Sequence, residues 1–201
     1  MNKHAYLIIA HNDFYILEKL LMLLDDERND IYSQVQCELS LLEEASKKNY
    51  EYYHLISGVD LPIKTQNYIH DYFNKNKGNY DRSEKFNYEL KKGQQWFSIT
   101  NYCVKYILSN KNLIREMFKY SACPDEHFIQ TLIYNSKFKN NISYDTCLRE
   151  IDWNRGCPYV FKLEDYDFLM KSENLFARKF DSNQDRNIIN KIYQAISTDI
   201  I

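Results

Sequence analysis

Apolar positions along the chain follow two rhythms. Residues 6–10, Tyr-Leu-Ile-Ile-Ala, form an unbroken apolar run, the pattern of a strand covered on both faces. Phe14, Leu17, Leu20, Leu21 and Leu24 then recur at helical spacing, so an amphipathic helix is expected over 13–24, capped by Asn12. This β–α opening places His11 at the C-terminal end of a strand, where α/β sheets bind ligands; a lone loop histidine is more often a bystander than a participant. Residues 30–32 look like the start of a second strand. Ser33 then reads as a helix cap, with Val35, Leu39, Leu42 and Ala45 on one face. That leaves too few residues for a core strand, so something is expected to be missing between Tyr32 and Ser33, with a break in the backbone there and again near 79–83.

The rest continues the alternation. Residues 52–57 form a strand running into Gly58-Val59-Asp60-Leu61-Pro62, where Gly58 can take positive φ and bring the backbone close to a ligand. Thr65 caps a helix carrying Tyr68, Ile69, Tyr72 and Phe73. Residues 74–92 are polar, and 93–100 form a strand with Trp96 and Ser98 on one face. Asn101 caps the next helix, and Leu113, Ile114, Met117 and Phe118 mark another. A helix is expected from Pro124 to about residue 134, an edge strand over 148–153, a helix through Leu163, Tyr166, Leu169 and Met170, and a last helix through Ile188, Ile189, Ile192 and Ile196. The fold class is α/β: a Rossmann-like mixed sheet flanked by helices, in one domain.

Composition narrows the partners. With 201 residues, one domain suffices. Twenty-six basic against 28 acidic residues, net −2, give no reason to expect nucleic acid. Eighteen tyrosines suit a sugar-binding cleft, and suit an AT-rich genome equally well. Five scattered cysteines, an odd number with no signal peptide before them, point to free thiols in a reducing cytoplasm. The first apolar run is too short to span a membrane, and no transmembrane segment is expected.

Three clusters carry candidate chemistry. Cys123-Pro124-Asp125-Glu126-His127 reads as a well-formed helix start, since Pro and carboxylates suit the first turn; it also reads as a general base, Glu126, held ionised near an acceptor hydroxyl. Asp60 either accepts hydrogen bonds from a ligand or ties down its own loop. Phe176-Ala177-Arg178-Lys179-Phe180 sets two adjacent cations between two phenylalanines, which alone reads as a solvated pair. Asp165-Tyr166-Asp167 spells a metal-binding DxD, but within a helical pattern, and is read as a solvated helix face. Cys123 and His127 share a helix face, but nothing orients them for thiol hydrolysis.

Together, Ala-Tyr-Leu-Ile-Ile-Ala-His-Asn, Leu-Ile-Ser-Gly-Val-Asp-Leu-Pro-Ile-Lys-Thr, Cys-Pro-Asp-Glu-His-Phe and Phe-Ala-Arg-Lys-Phe, in this order, resemble the core-2/I-branching β-1,6-N-acetylglucosaminyltransferases and protein O-xylosyltransferases of glycosyltransferase family 14, most of all the short bacterial members. The resemblance implies a GT-A-like fold and an inverting transferase that moves N-acetylglucosamine or xylose from a UDP-sugar to a glycan hydroxyl. It implies Glu126 as base and Lys179, with Arg178, at the donor diphosphate; Arg155 matches more loosely. His11, Asp60, Trp96 and Asp125 are expected at the donor or acceptor. No divalent metal or other cofactor is expected, and the expected setting is the cytoplasm or the inner face of the membrane, in polysaccharide synthesis. Family segments near 32/33 and 79–83 are absent. The same resemblance therefore leaves open a non-catalytic UDP- or carbohydrate-binding remnant.

Overall fold

The computed structural model describes residues 3–10, 13–33, 38–75, 89–118, 124–142 and 148–197. Strand β1 (His4–Ile9) pairs in parallel with β2 (Asn29–Ser33) on one side and β3 (Tyr52–Ser57) on the other. A fourth strand (Phe97–Thr100) runs antiparallel to β3. The strand Leu61–Pro62 is β4, which makes Phe97–Thr100 β5. A second sheet has the order β4, β7 (Phe176–Arg178), β6 (Arg149–Ile151), with β7 antiparallel to β4 and parallel to β6. The architecture is thus mixed α/β, as expected, but divided between two sheets.

Strand pleat explains the layering. Tyr6 and Ile8 point into one core, with α1 (Phe14–Leu24), α3 (Gln66–Lys75), α8 (Arg186–Ser197) and the second sheet. Ala5 and Leu7 point into the other, with α2 (Glu38–Ala45), α4 (Asn101–Ser109), α5 (Lys111–Phe118) and α6 (Phe128–Tyr134). Covered on both faces, β1 and β3 are buried almost residue by residue rather than on alternate positions. The short helix α7 (Tyr166–Lys171) packs on α8. Arg149, 3% exposed, joins the two sheets: its Nη2 donates to the Leu55 carbonyl at 2.8 Å and to the Phe97 carbonyl at 3.2 Å.

Local geometry corrects several expectations. Tyr32 and Ser33 are consecutive residues of one strand, opposite Leu7 and Ile8, so there is no break between them and Ser33 does not cap a helix; 79–83 lies outside the described residues. A strand of five residues needs no missing partner. The cap of α1 is Asp13 at φ 50°, its carboxylate accepting from the Ile16 N–H. Phe14 is 74% exposed rather than inward. Thr100, not Asn101, caps α4. The helix expected from Pro124 is divided into a 3-10 turn, Pro124–Glu126, and α6, with His127 between them. No described glycine has positive φ. Gly58 is required instead because a Cβ there would meet the Ala10 Cβ at 2.6 Å, where its N–H donates to the Ile9 carbonyl. Asp165 is buried rather than solvated, accepting from the Lys162 N–H and pairing with Arg155, whereas Asp167 is exposed. The two carboxylates therefore do not share one ion.

Candidate active site

The C-terminal ends of β1 and β3 lie side by side, because Gly58 is hydrogen-bonded to Ile9. The loop after β3 then meets the end of β7: Phe180 N–H donates to the Val59 carbonyl and Ile63 N–H to the Leu175 carbonyl. The β1–α1 loop is tied to the same region by Asp13, whose second carboxylate oxygen accepts the Ser182 N–H at 2.7 Å. Phe176 and Phe180 are fully buried and anchor the segment that carries Arg178 and Lys179. Its cations are thus set at a strand end with fixed backbone, not on a free surface loop.

Arg178 is held by two side chains. Its guanidinium carbon lies 4.4 Å from the Trp96 ring centroid, and its Nε lies 3.3 Å from Asp60 Oδ1. That last contact is an ion pair without a hydrogen bond, since the N–H does not point along it and both atoms are otherwise unpaired among the described residues. Asp60 is fully buried and its other oxygen accepts the Ser57 N–H. Burial pushes its carboxyl up to about 6, although Arg178 and Arg149 both pull it down. Asp60 therefore ties down its own loop and faces Arg178. The Arg178 side chain is 16% exposed, which is not the solvated pair its sequence suggested. Lys179 is half-buried, and its ammonium has no ion pair among the described residues.

Glu126 reaches this cluster through one short segment, 91–96, which bends at Gln95. Lys91 N–H donates to Thr131 Oγ1, Gly93 N–H donates to the Glu126 carbonyl at 3.0 Å, and Lys92 Nζ pairs with Glu126 Oε2 at 3.0 Å. Three residues further on, at most roughly 11 Å along the chain, Trp96 carries Arg178. The Glu126 side chain is 37% exposed, so it faces solvent rather than the core. Asp125 is half-buried beside it. Gly93 lies close under Gln130: a Cβ there would come within 2.8 Å of Gln130 Cγ.

Arg155 is elsewhere engaged. It pairs with Asp152 and, at 2.7 Å, with Asp165, and its guanidinium lies over the Tyr159 ring at 4.0 Å. To reach a diphosphate it must leave a carboxylate. His11 and Cys123 lie outside the described residues. Sequence reasoning missed Lys92, Arg149 and Glu38. Only Glu38 had a signal: it stands three, four and seven residues before Leu41, Leu42 and Ala45, the buried face of α2. Among the described residues no cluster of three or more His, Cys, Asp or Glu is placed to hold a metal ion, and no helix is long and apolar enough to cross a membrane.

The family model described as Core-2/I-Branching enzyme matches the chain over residues 28–89 and 84–172. The chain belongs to that family, and so to the glycosyltransferases, with a sugar donor and an acceptor; the mixed α/β fold is its GT-A-like fold. No curated protein matches the chain.

Proposed function

For this member of the core-2/I-branching family, we propose an inverting transfer of a sugar, N-acetylglucosamine or xylose, from a UDP-sugar to a glycan hydroxyl, without a divalent metal. Glu126 accepts the proton of the acceptor hydroxyl as its oxygen bonds to the anomeric carbon. The bond from that carbon to the diphosphate oxygen breaks, and its electron pair leaves with UDP. Arg178 and Lys179 meet the charge that grows on the leaving group; preorganised cations do this without reorganising at the moment of reaction. The observation that carries this reading is the 91–96 segment, which contacts both the backbone of a solvent-facing carboxylate, Glu126, through Gly93 and the guanidinium of Arg178 through Trp96.

The Lys92–Glu126 pair does not oppose this role. Both side chains are more than a third exposed, and such pairs contribute at most about 1 kcal/mol, so an acceptor hydroxyl displaces Lys92 readily. Arg155 keeps to Asp152 and Asp165 in this reading and shapes the turn around them. Asp125 and Trp96 border the acceptor and donor sides, with His11 on the β1–α1 loop. We take 1–201 as a single domain with trimmed family segments near 32/33 and 79–83. The trimmed segments leave a second reading, a UDP-binding remnant without turnover. Calorimetry with UDP, with and without EDTA, followed by a UDP-sugar hydrolysis and transfer screen, separates them. Binding unaffected by EDTA together with turnover supports the enzyme; binding without turnover of any UDP-sugar supports the remnant; binding abolished by EDTA overturns metal independence.

A further inference from the structure

Glu38 opens α2 and is 5% exposed. Its Oε1 accepts a hydrogen bond from Gln95 Nε2 at 2.7 Å, while Oε2, also buried, has no hydrogen-bond partner among the described residues. Burial pushes its carboxyl up to about 7; the Gln95 hydrogen bond pulls it down and Asp125 adds to the rise. On the buried face of α2, beside Leu41, Leu42 and Ala45, an apolar side chain would pack at lower cost, because a buried carboxyl held by one neutral donor is poorly compensated. What Glu38 gains is a grip on Gln95. Gln95 stands between Gly93, whose N–H holds the Glu126 carbonyl, and Trp96, whose ring carries Arg178.

We infer that Glu38 is a positioning residue: through Gln95 it clamps the 91–96 segment, so that Glu126 and Arg178 keep a fixed separation. Oε2 is sealed from solvent, so Glu38 does not itself touch a substrate. The functional meaning of the clamp rests on the roles proposed above for Glu126 and Arg178; its mechanical meaning does not. A clamp of this kind acts only through its partner, so removing either end has the same effect as removing both.

The test reads Trp96 directly. Trp153 is exposed and is replaced by Phe, leaving Trp96 as the single indole. In that background Glu38→Ala and Gln95→Ala each shift Trp96 emission to the red, raise its quenching by acrylamide, and weaken UDP binding in calorimetry several-fold. The double variant is no worse than either single one, and Glu38→Gln, which keeps an oxygen for Gln95 to donate to, preserves the Trp96 signal. Unchanged emission in a folded Glu38→Ala, additive losses in the double variant, or damage by Gln equal to that by Ala would overturn the inference. If the parent protein binds no UDP, the donor reading fails on that result alone, while the Trp96 signal still decides the role of Glu38.

Discussion

Arg178 lies over the indole of Trp96, its guanidinium carbon 4.4 Å from the ring centroid. The two residues come from different sheets' surroundings, β7 for the arginine and the segment leading into β5 for the tryptophan. Their stacking joins the strand end that carries the cations to the backbone that holds Glu126. With Asp60 Oδ1 also 3.3 Å from its Nε, the guanidinium has little freedom left to lose, which is what the diphosphate-binding role proposed for it requires.

Trp96→Ala removes the aromatic face and frees Arg178. A cation–π contact of this kind contributes about 0.5–2 kcal/mol, so UDP affinity should fall by up to roughly thirtyfold, with Trp96→Phe losing less. Calorimetry on the two variants checks the order.

Gly58→Ala forces a Cβ against Ala10 at 2.6 Å and against its Cα at 3.1 Å. Backbone does not yield as a flexible side chain does, so we expect a loss of about 1–3 kcal/mol, read by denaturant melting. The loop that carries Asp60 moves with it, so UDP binding weakens as well.

Two buried groups set opposite dependences on pH. Glu38 has a folded value of about 7, above the ordinary 4.5 of a free glutamate. The native state therefore holds a proton that the unfolded chain releases, and this contribution is lost as pH rises from 4.5 through 7. Glu38→Gln lacks that loss, so from pH 5 to pH 8.5 it gains on the parent by up to about 3 kcal/mol.

His70 runs the other way. It stacks on His4 at 3.9 Å and its Nε2 meets Asn29 Oδ1 at 2.9 Å, in a buried network that continues from His4 to His54 and Ser98. Burial, then the Arg28 charge, lower its folded value to about 4, against Asp26 and Asp71, which raise it. The unfolded chain takes up a proton first, so stability present above pH 6.5 is lost as pH falls toward 4. His70→Gln should gain on the parent by up to about 3 kcal/mol between pH 7.5 and pH 4. Melts of both variants against the parent, at paired pH values, isolate each group.

The elements were legible where burial is periodic. β1, β3, α1, α3 and α8 follow from apolar runs and helical spacing, because a covered strand and a one-sided helix leave different patterns. Ser33 was misread because serine suits both a cap and a strand end, and only its pairing with Ile8 decides. Gly58 stood out for the conformational freedom of glycine; its reason is a contact with a residue 48 positions away in sequence, Ala10, which no local rule contains. The site residues on motifs, Glu126, Arg178 and Asp60, could be named from sequence. Their partners could not: Lys92, Arg149 and Glu38 act through long-range contacts with Glu126, the Leu55 and Phe97 carbonyls, and Gln95. The split at His127 was hidden because Pro-Asp-Glu suits a 3-10 turn as well as an α-helix.

The most direct test of the account replaces Glu126 by Gln, which keeps the shape and the backbone hydrogen bond to Gly93 but removes the base. Transfer from the UDP-sugar that the parent protein turns over, measured beside UDP affinity on the same preparation, should fall by at least about a hundredfold while UDP affinity stays within a few-fold of the parent. Transfer at the parental rate by Glu126→Gln would contradict the account.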